Sequence, residues 1–432
     1  MKKTFLSTTG NTFMYNDAPV RLRGFGLGNY LNLEHFMFGF PGTDAQIREA
    51  IVHAFGKKRA QAFWDHYYTC YTDEADLGFV ATLGLNTVRV PVNHHLFSGS
   101  FEKSVGVREI DRLLKFCEQH RIWAILDMHT APGGQNPDWH SDNPNGEDRF
   151  WGDEPAQTEM VELWQKIADY YSDAQWIGGY DVLNEPCYFN HEYDEVMLRF
   201  YSQCTDSIRQ VDSNHILFYE GNVYARDFSM FRSNPDENCS YSFHLYPFLQ
   251  IPDDLDATDL RKPIEMSLAR DVTLAHLRDL NKPLFCGETG HPQHLPNHFD
   301  ALAGFLDVLE EQAISWALWP LKDCGSMGVI NPPENGKWAH LMQDLTGGWN
   351  FWDLFSKDSI LASDDMENRY RFYKQLIAET TKAHETFAVN LSQTDFKEWD
   401  DAVDEFAFSR AQLYEPLVLL VNEHMTKHRR SI

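Results

Sequence analysis

The sequence predicts an α/β fold, a (β/α)8 TIM barrel with long loops on its C-terminal face and a helical extension at the C-terminus. Three observations carry this. Eight short apolar runs punctuate the first three-quarters of the 432 residues. Several of them are near-continuous in β-branched and aromatic residues, as strands covered on both faces require. Helical stripes fill the gaps between runs, and strand–helix alternation repeated eight times closes a parallel barrel.

The runs fall at 22–27, 87–92, 123–128, 179–183, 216–219, 241–245, 283–286 and 315–319. Before the third, Ile110, Leu113, Leu114 and Cys117 recur at helical spacing, and before the fourth Val161, Trp164, Ile167 and Tyr171 do the same. Three connections are long, at 28–83, 129–155 and 320–363. In a barrel, loops that follow strands gather on the face where active sites are built. These carry Phe36, Phe38, Phe40, Trp64, Trp139, Trp151, Trp338, Trp349 and Trp352, read here as walls of a pocket. Residues 1–390 are assigned to the catalytic barrel and 391–432 to the extension. There Trp399, Val403 and Phe406 form a stripe and 417–421 a short apolar run, to dock on the barrel or on a second subunit.

Composition excludes several classes of function. With 37 basic and 64 acidic residues the net charge is −27, the wrong sign for binding nucleic acid or an anionic membrane surface. The one basic run, Lys427 to Arg430, reads as a solvated end. No segment reaches the ~20 apolar residues of a membrane span, and the polar turn after Leu6 argues against a signal peptide. Seven scattered cysteines without a CxxC pair read as free thiols of a reducing compartment, and the cytoplasm is the expected location.

Two segments carry the chemistry. The strand at 179–183 runs into Asn184-Glu185-Pro186, and that at 283–286 into Gly287-Glu288-Thr289. The barrel sets strands four and seven across one cleft, so Glu185 and Glu288 face each other. Glycoside hydrolysis needs such a pair, one carboxyl protonated to assist the leaving oxygen and the other ionised to attack the anomeric carbon. Arg89 sits in an otherwise apolar strand, where a cation must meet an anion, and Glu288 is its natural partner. His129 ends the third strand, His244 and Tyr246 share one side of the sixth, and Trp319 ends the eighth, where a flat ring can face a sugar.

On these residues the chain resembles glycoside hydrolase family 5, the clan A retaining β-glycosidases and β-glycanases, from about residue 23 to 320. The resemblance implies that Glu185 is the acid/base and Glu288 the nucleophile. It implies that Arg89, His129, Asn184, His244, Tyr246 and Trp319 line the subsite of the sugar being cleaved, with Tyr246 bonded to Glu288 and Asn184 to the sugar 2-hydroxyl. Segments 24–36 (GFGLGNYLNLEHF), 63–92 (FWDHYYTCYTDEADLGFVATLGLNTVRVPV) and 131–136 (APGGQN) are similar to the exo-β-1,3-glucanase branch, although Asn29-Tyr30 stands where a Gly-Trp pair is common. In that branch Glu34 matches a carboxylate that binds hydroxyls of the terminal sugar. That branch is usually secreted, unlike the cytoplasmic address expected here.

The expectation is therefore a retaining, exo-acting β-glycosidase that releases glucose from β-glucosides or short β-glucans, with no cofactor and no metal. His291, His294 and His298 have a suggestive spacing, but Pro292 and Pro296 interrupt the helix that would align them. The glycines at 24, 26 and 28 lack the Rossmann fingerprint, since Asn29 stands where its next glycine belongs. The partners expected are a β-glycoside or β-linked oligosaccharide and, for the extension, another copy of the chain. Three alternatives remain: an endo-acting β-1,4-glucanase or mannanase with an open cleft, a barrel that binds carbohydrate without cleaving it, and an interaction protein working through its C-terminal helices.

Overall fold

A computed structural model of the chain describes residues 3–188, 191–250, 260–295, 298–354 and 366–428. Eight parallel strands close a barrel: Arg23–Gly26, Thr87–Val92, Trp123–Met128, Ile177–Asp181, Ile216–Tyr219, Cys239–His244, Leu284–Thr289 and Ser315–Leu318. Each pairs with the next, and the eighth returns to the first through Trp316 against Arg23. The eight apolar runs match these strands to within three residues. The two helical stripes lie on helices Val105–His120 and Glu154–Tyr171, whose Ile110, Leu113, Trp164 and Ile167 are buried against the barrel.

The N-terminal mouth of the barrel is stoppered by an element the sequence reading did not anticipate. Strands Ser7–Thr9, Thr12–Tyr15 and Ala18–Val20 form a small antiparallel sheet. Asn16 and Asp17 turn it in two residues, both left-handed at φ 53° and 61°, the conformation that tight hairpins favour. Its Phe13, with Leu6 and Leu22, joins Ile125, Ile216, Phe218, Phe285 and Ala317 in one apolar cluster. Above that cluster the interior turns polar at Arg89, Asp127, Asp181, Glu220 and Ser242, all buried.

The first long connection folds into helices His35–Phe38, Asp44–Phe55, Lys57–Tyr71 and Glu74–Thr82. Capping boxes start two of them, Thr43 with Gln46 and Asp73 with Asp76. These helices correct the reading of the loop aromatics. Phe38, Phe40, Trp64 and Trp338 are core residues: Phe38 stacks on Trp64 and meets Trp338 edge to face, Phe40 packs on Trp399, and Trp338 packs on both Trp399 and Phe406 of the extension. Trp151 is likewise core, against Tyr188. Large rings bury more apolar area than any other side chain, which draws them into the core first.

The extension follows the long helix Met366–Leu391 and lies on the barrel through helices Phe396–Val403 and Glu415–His428. Leu417, Leu420 and Val421 bury the face of the last helix, which packs on His298–Glu311. Beneath them Glu310 takes a bidentate hydrogen bond from Arg23 of the first strand, at 2.5 and 2.8 Å, and another from Trp316 Nε1 of the eighth at 2.9 Å. Among the described residues no helix is long and apolar enough to cross a membrane.

Arg23 and Glu310 are both 3% exposed, so removing one partner strands a buried charge. Arg23→Ala should lower unfolding free energy by about 3–5 kcal/mol, read from denaturant midpoints. A loss no larger than that of an exposed ion pair would contradict this role.

Candidate active site

The C-terminal face of the barrel is organised around one guanidinium. Arg89, fully buried, gives Nη1 to Glu288 Oε1 at 2.6 Å and Nε to Asp181 Oδ2 at 3.0 Å. Nη2 reaches Asn184 Oδ1 at 2.8 Å, Glu220 Oε1 at 2.9 Å and Asp127 Oδ1 at 3.2 Å. Burial opposes this charge, but the carboxylates of Asp127, Asp181, Glu288 and Glu220 outweigh it and hold Arg89 firmly protonated.

Glu288 reaches this network through a bulge. Strand pairing slips between Cys286 and Glu288 against the sixth strand and between Cys286 and Thr289 against the eighth, which turns Glu288 inward instead of leaving it on the face of Cys286. A Cβ on Gly287 would lie 2.5 Å from Ser242 Oγ and 3.0 Å from His244 Nε2, so a larger residue there would have to displace these side chains. Tyr246 donates its hydroxyl to Glu288 Oε2 at 2.7 Å. Burial and the Glu288 charge push the Tyr246 phenol well above its ordinary range, which keeps it a donor. For Glu288 burial disfavours the anion, yet His244 and Arg89 prevail and lower its pKa.

Glu185 does not end a strand as read from the sequence. The fourth strand stops at Asp181, and Glu185 stands beyond it in the left-handed region at φ 46°. Its backbone is clamped from both sides: its N–H donates to Glu220 Oε2 at 2.6 Å, and its carbonyl accepts from Asn136 Nδ2 at 2.9 Å. Two imidazoles meet its carboxyl, His244 Nδ1 at 2.7 Å from Oε1 and His140 Nε2 at 3.1 Å from Oε2. Burial opposes charge on both His140 and Glu185. Their contact outweighs it while a proton sits on His140, carrying His140 up to about 9 and Glu185 well below the usual carboxylate range. Ligating atoms of Glu185, His244 and Glu288 all lie within 4.8 Å of one another. That is the close spacing that double displacement uses, where an inverting pair stands ~6.5–9.5 Å apart.

The other expected residues gather on the same face. His129 Nδ1 holds Asp127 Oδ2 at 2.6 Å and Nε2 stands 3.4 Å from Glu34 Oε1. Burial pulls His129 down, but Asp127 raises it to about 10. Glu34 is buried, and its N–H donates to Asn29 Oδ1 at 2.9 Å, Asn29 itself being left-handed at φ 67°. Burial raises the Glu34 pKa, with His129 offsetting part of the effect. Trp319 lies nearly parallel to His129, with ring centroids 5.8 Å apart. Asn184 Nδ2 is buried with no partner, a donor free for a ligand.

Two residues of this site escaped the sequence reading. Glu220 follows the apolar strand Ile216–Tyr219 just as Glu288 closes its own, so the same strand-end signal was present. His140 lies in an irregular connection with no periodicity to single it out. Together the loops line a partly open pocket, polar at Glu34, Glu185 and Glu288 and aromatic at Phe36, Trp139, Tyr224, Phe248, Trp352 and Tyr373. Of the histidines weighed as a metal site, His291 packs on Phe248 and His294 on Trp352, and the His298 side chain lies outside the described residues.

Comparison with known proteins finds relatives among glycoside hydrolases. The Cellulase model, glycosyl hydrolase family 5, matches residues 44–325. A β-xylosidase of Phanerodontia chrysosporium is 31% identical over 365 residues, 79% of this chain and 75% of that protein. A probable glucan 1,3-β-glucosidase A of Emericella nidulans is 24% identical over 277 residues, 62% of this chain and 66% of that protein. The native β-glucanase structure from Saccharophagus degradans shares the fold at TM-score 0.53 and 15% identity, covering 88% of this chain and 94% of that one.

The buried His129–Asp127 pair makes stability depend on pH. His129 titrates at about 10 when folded, against an ordinary 6.5. Its contribution is complete below pH ~6.5 and is lost as pH rises through ~10. His129→Asn should therefore cost about 3–5 kcal/mol near pH 6 and progressively less toward pH 10, by urea denaturation at each pH. A gap to the wild type that stays constant would refute the charged pair.

Proposed function

The chain belongs to glycosyl hydrolase family 5, a retaining glycoside hydrolase, and from that premise we propose that it acts from the chain end, releasing glucose from β-glucosides or short β-glucans. One observation carries the assignment of roles. Glu185 and Glu288 approach within 4.8 Å, yet only Glu288 is held by Arg89 and Tyr246.

In the first step Glu288, ionised beside Arg89, attacks the anomeric carbon. The leaving oxygen departs with a proton from Glu185, and a covalent glycosyl-enzyme forms. In the second, Glu185 takes a proton from water as that water attacks the same carbon, Glu288 leaves, and the β-configuration is restored. The unpartnered Nδ2 of Asn184 suits the sugar 2-hydroxyl, a bond that strengthens in the transition state. Trp319 offers its flat face to the ring. Its seat depends on glycine, since a Cβ at Gly26 or Gly28 would come within 2.4 or 2.8 Å of the indole. No step needs a Lewis acid or a cofactor.

Glu34 and the aromatic walls support the exo reading. A buried carboxylate at the blind end accepts from a free sugar hydroxyl and has no such bond for a glycosidic oxygen bearing another sugar. Phe36, Trp139, Trp352 and Tyr373 rise around the other side, where an endo-acting cleft would stay open. Cytoplasmic action belongs to the same proposal, supported by seven free cysteines, six of them buried.

Glu185→Ala should lower turnover of alkyl β-glucosides by about 10²–10⁴ and that of activated aryl β-glucosides much less. Glu288→Gln should abolish glycosyl-enzyme formation with the fold intact. Equal losses on alkyl and aryl substrates for Glu185→Ala would contradict its acid role. Proton NMR should show the β-anomer of the product first, and an α-anomer would exclude retention. A panel of nitrophenyl β-glycosides and defined oligosaccharides should yield glucose one unit at a time. Faster release of xylose would change the sugar, and a rapid fall in the viscosity of a soluble glucan would make the enzyme endo-acting.

A further inference from the structure

Helix Lys57–Tyr71 carries a histidine and a cysteine four residues apart, His66 and Cys70, which places both on one face. That face meets the extension at helix Phe396–Val403 and the turn Asp404–Phe406. His66 Nε2 stands 3.0 Å from Asp404 Oδ1, and His66 Nδ1 stands 3.1 Å from Asp400 Oδ1. Cys70 completes the group: one ligand atom each from His66, Cys70 and Asp404 all lie within 4.8 Å of one another. Four such groups occur among the described residues, and only this one contains a thiol.

The donor set is that of a thiophilic divalent ion. Zinc takes imidazole, thiolate and carboxylate at ~2.0–2.3 Å, which sets the ligand atoms roughly 3.3–3.6 Å apart around a tetrahedron. The observed spread closes to that spacing through side-chain adjustments of about an ångström. Asp400 supplies the outer carboxylate that orients a metal-binding imidazole: bonded at Nδ1, it leaves Nε2 directed at Asp404. Arg410 Nη1 stands 3.2 Å from Asp404 Oδ2, which leaves Oδ1 for an ion. An imidazole bridging two aspartates needs no sulfur beside it, and Cys70 is a free cysteine.

We propose that His66, Cys70 and Asp404 bind one zinc ion, with water in the fourth position, and that the ion fastens the extension to helix Lys57–Tyr71. Burial pushes the Cys70 thiol up to about 11, with Asp404 and Asp73 adding to the effect and Lys322 and Arg410 opposing it. Cys70 therefore meets the ion as a thiol: the S–H proton passes to solvent as the Zn–S bond forms, with no change of oxidation state. None of the three ligands lines the pocket, so the ion stands outside the reaction. Its effect reaches the site through the helix. Tyr67 and Tyr71 donate their hydroxyls to the carbonyls of Asn29 and Gly28, at 2.6 and 3.1 Å, and Phe406 packs on both rings. Holding Asp404 to this helix braces the loop whose Asn29 bonds the Glu34 backbone.

The test takes the whole chain, freed of metal by a chelator, and adds one equivalent of cobalt(II) and then zinc(II). Cobalt should give a thiolate-to-metal charge-transfer band in the near ultraviolet, which zinc then removes. Cys70→Ala should abolish the band. His66→Gln should weaken cobalt binding by about tenfold or more, and it tests the site should Cys70→Ala fail to fold. His428→Ala, at the rival group of Asp307, His424 and His428, should leave the band unchanged. One equivalent of zinc should raise the melting temperature of the wild type by a few degrees and leave that of Cys70→Ala where it was. Cobalt bound without the band, a band that survives Cys70→Ala, or no binding at all would overturn the site. A band with an unmoved melting temperature would overturn the fastening.

Discussion

One buried guanidinium orders this barrel's working face. Arg89 touches carboxylates from the third, fourth, fifth and seventh strand positions, at Asp127, Asp181, Glu220 and Glu288, and the amide of Asn184. A cation in the middle of a barrel is tolerable only with anions around it, and those anions are tolerable only with the cation. The two dependences close on each other. They produce a rigid upper layer in which Glu288 has one freedom left, to react, while Glu220 passes the constraint on to the Glu185 backbone.

Much of this was legible because barrel strands announce themselves. Arg89 stood out as a charge inside an apolar run, and Glu185 and Glu288 as carboxylates where such runs break off. What stayed hidden has physical reasons. The hairpin sheet at the N-terminus has strands of three and four residues, too short for a period to register. Glu288 points inward only because of a bulge at Gly287, which alternation alone cannot foresee. Glu185 owes its aim to a left-handed backbone held by Asn136 and Glu220, contacts across long stretches of chain. The loop aromatics divide into core and pocket wall by tertiary packing, so Trp64 and Trp338 were misread where Trp139 and Trp352 were not. Glu220 is a different case, since its signal was present and went unused.

The pocket is chemically two-sided. Its blind end, around Glu34, His129 and Glu288, offers charge and hydrogen bonds that discriminate hydroxyl patterns steeply. Its aromatic lining, at Tyr224, Phe248, Trp352 and Tyr373, offers ring faces that hold a ligand by area, with little regard to hydroxyl geometry.

The order in which the chain is made adds a consequence of the extension's position. By residue 319 a nascent chain has emerged with its acid, its nucleophile and the eighth strand, yet the pocket wall built from Phe351, Trp352 and Tyr373 is still untranslated. The last helix then fastens onto His298–Glu311, over the Arg23–Glu310 clamp that ties that helix to the first strand. Reactivity is thus encoded early and enclosure late. A chain cut after residue 319 would keep the catalytic pair and the eighth strand but lack Phe351, Trp352 and Tyr373 of the pocket lining.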